Sequence, residues 1–454
     1  MIGFRLSEAA ELLGGKLHGD DAWFASVSTD TRTLGEGELF VAIPGERFDG
    51  HDFLEVAAQC GAAGALVERP SEALACVEVD KVLPGLGRLA AAWRDKAPAK
   101  VVGVTGSNGK TTLKEMTAAI LAQRGSVLAT RGNLNNDIGM PLTLTRLQQE
   151  QFAVIEMGAN HAGEIDYLTR ICRPDVAVLN NAGRAHLEGF GSLEGVARAK
   201  AEILNGLGEA GVFVFNADDR FAPLWRELAA DRQSLGFGVQ QAADISSPAG
   251  SYRIEWLQSG FNAVFEVQTP KAQFEVSLQL AGEHNRMNAL AAIAACHVLG
   301  IDSVDMQRGL AGLQPVAGRL CPLQGLNAAR LIDDTYNANP DSVIAALQVL
   351  HAAPGRRTLV LGDLGELGPE QQKLHAELGE QATRIGIDRL LTCGELSEQA
   401  SARFAGESRH FASQQALIDY LGSDLGEEDS VLMKGSRTSA MENVVKALRG
   451  EAAC

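Results

Sequence analysis

Residues 101–112 read Val101-Val102-Gly103-Val104-Thr105-Gly106-Ser107-Asn108-Gly109-Lys110-Thr111-Thr112, a β-branched apolar run that breaks into a glycine-rich turn and then a lysine and two threonines. No other stretch constrains the fold as strongly, because it demands a buried strand, a turn that only glycines permit, and a helix opening straight after. This is the chemistry of a phosphate-binding loop: backbone N–H groups converge on phosphate oxygens, Lys110 adds a point charge, and a threonine hydroxyl can reach Mg²⁺. The spacing is short. The pattern G-x-x-x-x-G-K-[ST] would put glycine at 104, where the chain has Val104, and Gly106 comes two residues late. A nucleoside triphosphate is the expected ligand, contacted by Gly106, Ser107, Asn108, Gly109, Lys110, Thr111 and Thr112.

A strand that feeds such a loop belongs to a parallel sheet buried on both faces, and the sequence around it agrees. Apolar runs at 127–129, 152–156, 175–179 and 211–215 alternate with helical patterns, and three runs between 252 and 280 alternate as antiparallel strands do. Ahead of the loop, about a hundred residues form a smaller α/β unit with strands at 38–43, 64–67 and 76–79, closed by a linker at 97–100. After a second linker at 314–319 the alternation restarts, with strands at 330–333, 358–361, 389–392 and 430–433 and no phosphate loop. The expectation is three α/β domains. Residues 1–98 form a small N-terminal domain, 99–314 a central parallel-sheet ATPase domain with appended antiparallel strands, and 315–454 a Rossmann-like doubly wound domain.

Composition narrows the partners. At 454 residues and 46% apolar content the chain can build a core in each domain. A net charge of -17 argues against nucleic acid or an anionic membrane, since both need a basic face. No apolar run reaches membrane-spanning length, and the charged N-terminal stretch with Arg5, Glu8 and Glu11 is not a signal peptide. The seven cysteines are scattered without a C-x-x-C pair, so a reducing cytoplasm fits better than a disulfide framework or zinc.

Several polar residues fall where a parallel sheet would expose them. Glu156 ends the strand Phe152-Ala153-Val154-Ile155, which sets a hard oxygen ligand at the sheet's carboxyl edge beside Thr111, where the two can share a Mg²⁺. His186 follows the next strand and can serve as metal ligand or hydrogen-bond donor. Lys200 sits in a helical pattern, and its residue type alone describes a solvated surface lysine. Asn285 and Asn288 stand at a helix start, where asparagine ordinarily caps. The cluster Asp333-Asp334-Thr335-Tyr336-Asn337-Ala338-Asn339-Pro340 is too polar for a plain connection, although a capping turn before Pro340 accounts for part of it. In the N-terminal unit, Arg32 and Arg47 lie in polar loops that either hold a diphosphate or are simply solvated.

Taken in this order, the short loop, Glu156, His186, Ala199-Lys200, His284-Asn285-x-x-Asn288, Arg319 and Asp334 resemble the Mur ligase family, the ATP-dependent amide-forming enzymes of peptidoglycan precursor synthesis. The family's loop is the short one. Residues 333–340, Gly132-Asn133-Leu134-Asn135-Asn136 and Lys434-Gly435-Ser436-Arg437 are most similar to the branch that adds D-alanyl-D-alanine to UDP-N-acetylmuramoyl-tripeptide. The Asp-Asn-Pro-Arg signature of the diaminopimelate- or lysine-adding branch is absent. The resemblance implies that Lys110 and the loop hold the β- and γ-phosphates and that Thr111 and Glu156 hold one Mg²⁺. It implies further that His186 and a carbamylated Lys200 hold a second, that Asn288 meets adenine and Asp334 the ribose, and that Arg319 meets the γ-phosphate. Lys110, His186, Lys200 and Arg319 would thus be the catalytic set. Thr31, Arg32 and Arg47 match the region that holds the uridine diphosphate. Asn135, Asn136, Asn337, Asn339, Ser342 and Arg437 are assigned to the peptide substrates. A cytoplasmic, monomeric ligase is expected. The alternatives are another Mur-family or folylpolyglutamate synthase-like ligase and, from a different class, a P-loop nucleotide switch, which would need an Asn-Lys-x-Asp base reader that the chain lacks.

Overall fold

The computed structural model describes residues 1–45, 48–184, 187–257 and 260–449. Strand Lys100–Thr105 runs parallel between Phe152–Glu156 on one side and Val176–Leu179 on the other, inside a ten-stranded sheet. Alternate side chains of these strands enter two different cores. Val101, Ala153, Ile155 and Leu179 face one layer, and Val102, Val104, Val154 and Val178 face the other. Both faces are therefore buried, which is why the strands read as continuous apolar runs. The winding reverses at Lys100–Thr105: the next two strands in sequence, Val127–Ala129 and Phe152–Glu156, lie to one side, and Val176–Leu179 and Val212–Asn216 lie to the other. A crevice opens beyond the carboxyl ends of strands at such a reversal, and the phosphate loop occupies it.

Two strands escape the sequence pattern. Ser234–Gly238 and Ile245–Ser246 continue the parallel run, but the first is glycine-diluted and the second is two residues long. Through the pairing of Ser246 with Gln268 they carry the sheet into the antiparallel strands Arg253–Leu257, Gly260–Gln268 and Gln273–Leu278. The predicted appended sheet is thus an extension of the central one.

The C-terminal sheet has six strands, with Arg330–Asp334, Asp429–Lys434, Arg356–Gly362, Arg389–Cys393 and Glu407–Phe411 parallel in that spatial order. Leu359 and Leu361 face one core and Val360 the other, as a doubly wound sheet requires. Both strands that the sequence reading missed are edges. Cys321–Gln324 carries Pro322, and Glu407–Phe411 exposes most of its charged side chains.

The N-terminal unit is a five-stranded sheet, in the order Lys16–His18, Cys76–Glu78, Gly64–Val67, Leu39–Val41 and Val27–Ser28. Its last helix, Val82–Lys96, packs on helices Gly139–Leu144 and Glu164–Cys172 of the central unit, so the two share one core. Trp93 anchors that junction: it is fully buried, lies tilted against Phe4 and Phe24 with ring centres 5.5 and 6.3 Å away, and donates its indole N–H to the Leu147 carbonyl at 2.8 Å. Trp93→Ala is expected to destabilise the protein by about 3–5 kcal/mol. The check is the urea midpoint, and an unchanged midpoint would show that this side chain does not carry the junction. Among the described residues no helix is long and apolar enough to cross a membrane.

Candidate active site

The glycine turn and the helix Lys110–Leu121 form one wall of a cavity of ≈ 540 Å³. Gly106 and Gly109 adopt φ of 155° and 76°, and a Cβ at Gly109 would collide with the Asn288 side-chain amide. No side chain caps this helix, so its N-terminal amides and dipole are available to an anion. The turn is braced from beneath. Asn181 accepts from the Asn108 N–H at 2.8 Å and donates back to the Asn108 carbonyl at 3.0 Å, while Asn180 donates to that same carbonyl and to Asn288 Oδ1 at 2.8 Å. Lys110 Nζ lies against the Gly106 and Ser107 carbonyls at 2.8 and 3.3 Å. Burial holds its pKa below the ordinary lysine value; Glu156 opposes that shift and Arg319 reinforces it.

Glu156 stands beside this wall, 2% exposed. Its Oε1 accepts from Asn135 Nδ2 at 2.7 Å, whereas its Oε2 is buried with no hydrogen-bond partner. An orphaned carboxylate oxygen in low dielectric is costly unless a cation completes it. Thr111, which lines the same cavity, offers a second hard oxygen. Lys200, against the bland reading of its sequence, is 1% exposed. Its amine donates to the Ala159 carbonyl at 3.2 Å and stands 5.1 Å from the centre of the Phe190 ring. Burial, helped by Lys110, pushes its pKa down to about 7, so a large share of it is neutral amine near neutral pH.

The opposite wall comes from the C-terminal unit. Arg319 lies over the Tyr336 ring at 4.3 Å, and its Nη2 donates to Thr111 Oγ1 at 3.0 Å. Asp334 Oδ2 accepts from the buried Lys434 at 2.6 Å and Oδ1 from the Leu320 N–H at 3.2 Å. His284 lines the cavity, and burial holds it down to about 4, so it presents a neutral imidazole. Asn285 and Asn288 do not cap their helix, whose first position follows Gly282; Asn288 instead joins the asparagine brace under the loop.

The structure gathers Ser107, Asn108, Gly109, Lys110, Thr111, Thr112, Glu156, Asn135, Asn288, Arg319, Asp334, Asn337, Asn339, Ser342 and Arg437 around one cavity. Some of them also have local tasks. Asn339 and Ser342 form the capping box of helix Pro340–His351, and Asn136 Oδ1 accepts from the Gly139 N–H at 2.9 Å. Arg437 is paired with Glu442 at 3.1 Å. Thr31 and Arg32 stand apart from the described lining, and Arg32 is bound to Asp30 at 2.7 Å while remaining 86% exposed. Arg47 and His186 lie outside the described residues. Sequence reasoning missed the supporting roles of Asn180, Asn181, Tyr336 and Lys434. Two consecutive asparagines after a buried strand were a usable signal for the first pair, since polar residues at that edge face the crevice.

The chain is similar to known proteins along its whole length. Three family models match along the chain: "Mur ligase family, catalytic domain" at residues 24–98, "Mur ligase middle domain" at 104–296 and "Mur ligase, glutamate ligase domain" at 318–437. The UDP-N-acetylmuramoyl-tripeptide--D-alanyl-D-alanine ligase of Escherichia coli (strain K12) is 45% identical over 100% of both chains. A crystal structure of MurF from Acinetobacter baumannii superposes with a TM-score of 0.91 at 37% identity, covering 98% of each chain. The MurF ligase of Thermotoga maritima in complex with ADP gives 0.82 at 30% identity, covering 93% of this chain and 96% of that one. With three domain models in order and relatives matched end to end, the chain belongs to the Mur ligase family.

Proposed function

We propose that this chain is an ATP-dependent ligase that joins D-alanyl-D-alanine to UDP-N-acetylmuramoyl-tripeptide through an acyl phosphate, giving the pentapeptide precursor, ADP and phosphate. The observation that carries this reading is a phosphate cradle walled on its far side by a cation from another domain, Arg319 at Thr111. The E. coli relative carries the name of this reaction over its full length, and ADP in the T. maritima relative supports the nucleotide. A carboxylate oxygen of the tripeptide attacks the γ-phosphorus as the bond to the departing ADP oxygen breaks. The dipeptide nitrogen then attacks the acyl carbon, loses a proton, and inorganic phosphate leaves.

Two anions must meet in the first step, so charge neutralisation and positioning carry the catalysis. Lys110 and the helix N-terminus receive the β- and γ-phosphates, Arg319 closes on the γ-phosphoryl group, and Tyr336 holds the guanidinium flat. The asparagine brace, which takes up the Ser107 and Asn108 N–H groups, fixes the turn that leads into the helix N-terminus. Asn288 faces the base, and Asp334, fixed by Lys434, faces the ribose. Thr111 with Glu156 would hold one Mg²⁺, and Lys200, as a carbamate, with His186 would hold a second; such ions would offset charge on the transferring group. The neutral, buried amine of Lys200 is the form that adds CO₂, and the orphaned Glu156 oxygen is the form that accepts a cation. Thr31, Arg32 and Arg47 belong to the uridine diphosphate region of a substrate domain spanning 1–98. Asn135, Asn136, Asn337, Asn339, Ser342 and Arg437 serve the peptide ends between the central domain, 99–314, and the C-terminal domain, 315–454. The chain acts as a monomer in this reading. The six described cysteines are all free, which supports the cytoplasm.

The test is phosphate release from ATP with UDP-N-acetylmuramoyl-tripeptide and D-alanyl-D-alanine, each alone and together. Release is expected only with both; release that ignores the dipeptide would overturn the reading. Glu156→Gln is expected to raise the Mg²⁺ concentration for half-maximal turnover by roughly tenfold or more. Its melting temperature without metal should hold or rise, because the variant buries an amide in place of a charge. Unchanged Mg²⁺ dependence would remove Glu156 from the metal site.

A further inference from the structure

The loop that braces the phosphate cradle is itself gripped from the C-terminal unit. Asp341, in the first turn of helix Pro340–His351, accepts from the Arg184 backbone N–H at 2.7 Å and from its Nε at 2.8 Å, with Nη2 at 2.7 Å. One carboxylate thus holds both the main chain and the side chain of a single residue. Arg184 ends the stretch in which Asn180 and Asn181 bind Asn108, and the Gly183 N–H and carbonyl both bond to the Ser107 hydroxyl. A Cβ at Gly183 would come within 3.0 Å of Asp341 Oδ2 and 3.1 Å of Asn108 Nδ2, so glycine lets the two domains approach here. The same helix turn also sends Asn339 Nδ2 to Asn108 Oδ1 at 2.6 Å.

We infer that Arg184 and Asp341 are positioning residues for the ligase reaction: their clasp registers the C-terminal domain on the phosphate-loop wall, so that Arg319 meets the nucleotide only when this loop is set. The proposal rests on the ligase reading for its kinetic arm and on geometry alone for its structural arm. Each side chain is about a third exposed, at 33% and 34%, so the side-chain part of the clasp is partly screened while the main-chain bond is retained. That asymmetry gives an ordered expectation. Asp341→Ala removes all three of these bonds and leaves Arg184 only its exposed 4.0 Å approach to Glu377, whereas Arg184→Ala keeps the main-chain one.

The experiment measures steady-state kinetics on the full chain for Arg184→Ala, Asp341→Ala and the double variant, with small-angle scattering in the presence of a non-hydrolysable ATP analogue. Arg184→Ala is expected to lower kcat by about fivefold and Asp341→Ala by roughly thirtyfold or more. In the Asp341→Ala background, removing Arg184 as well should add almost nothing. The KM for the UDP-linked substrate, bound on the N-terminal domain, should stay within about twofold, and a thermal melt of the same preparation should match the wild type, because loss of folded protein would also lower apparent kcat at constant KM. Scattering should show the wild type compact with nucleotide and Asp341→Ala more extended. Asp341→Asn, which keeps the helix turn and one acceptor, should fall between the alanine variants. Additive effects in the double variant, an Arg184→Ala loss equal to or above that of Asp341→Ala, or unchanged scattering would overturn the clasp. If the wild type shows no dipeptide-dependent turnover but Asp341→Ala still prevents compaction, the ligase reading fails and the clasp stands.

Discussion

Lys110→Ala is expected to lower ligase turnover by about three orders of magnitude while leaving the protein folded. The physical reason is where the charge sits. Lys110 is half-buried at the first position of its helix, with its amine on the carbonyls of Gly106 and Ser107, beside the uncapped helix N-terminus that faces the cavity. Phosphate oxygens entering the cradle are stronger acceptors than two peptide carbonyls and draw the ammonium toward them. Removing the cation leaves the helix N-terminus to face the β- and γ-phosphates alone, and the loss grows as charge shifts in the transition state. The fold should tolerate the change, because a desolvated cation held by carbonyls contributes little to stability. Phosphate-release kinetics and a thermal melt on the same preparation check both halves. A loss below tenfold, with the melt unchanged, would remove Lys110 from the phosphoryl-transfer machinery.

The second large effect belongs to Lys200. Substitution by methionine is expected to cut turnover by about two orders of magnitude or more, because the proposed carbamate that holds a metal is gone. The same substitution should make the protein more stable at neutral and lower pH. Burial holds this amine near 7 in the folded chain against an ordinary value of 10.5, so between those values the unfolded chain carries a proton that the folded chain does not. Stability conferred by the free amine therefore rises with pH across that window, and below about 7 the fold must bury an ammonium at full cost. Lys200→Met removes that cost, on the order of a few kcal/mol, and flattens the pH dependence. Melting curves from pH 6 to 10 in bicarbonate-free buffer read the stability half. Intact mass with and without bicarbonate reads the carbamate, and a wild-type mass that never gains one CO₂ would remove it. A variant that kept full turnover would remove Lys200 from the reaction.

The contrast between these two lysines shows how much was legible in the residues. Lys110 announces itself through its neighbours in sequence, since glycines on one side and threonines on the other leave little else for it to do. Lys200 lies in Ala197-Arg198-Ala199-Lys200, a pattern that describes a solvated helix face, and its own neighbours say nothing of its burial. Only the packing of helix Leu193–Ala201 against the turn at Ala159 and Phe190 desolvates the amine. The asparagines divide similarly. Asn339 caps a helix, as its place before Pro340 suggests, while Asn288 looks like a cap and is a brace, because Asn180 reaches it from a strand end 108 residues earlier. Ser234–Gly238 and Cys321–Gln324 were hidden because glycine and proline weaken a local strand signal that a long sheet neighbour then supplies.

What the sequence by itself determined is local and periodic: the phosphate loop, the alternation of strand and helix that builds parallel sheets, and the ordered motifs that carry the family resemblance. These follow from short-range rules, in which a glycine's φ, a period of two, or a cap depends on residues a few positions away. The tertiary structure alone decided which polar groups share one cavity, that Glu156 has an oxygen left over, that Lys200 is buried, and that Arg184 meets Asp341 across 157 positions of chain. Desolvation and ion pairing act through space, and no pattern of neighbours along the chain encodes the dielectric in which a side chain comes to rest.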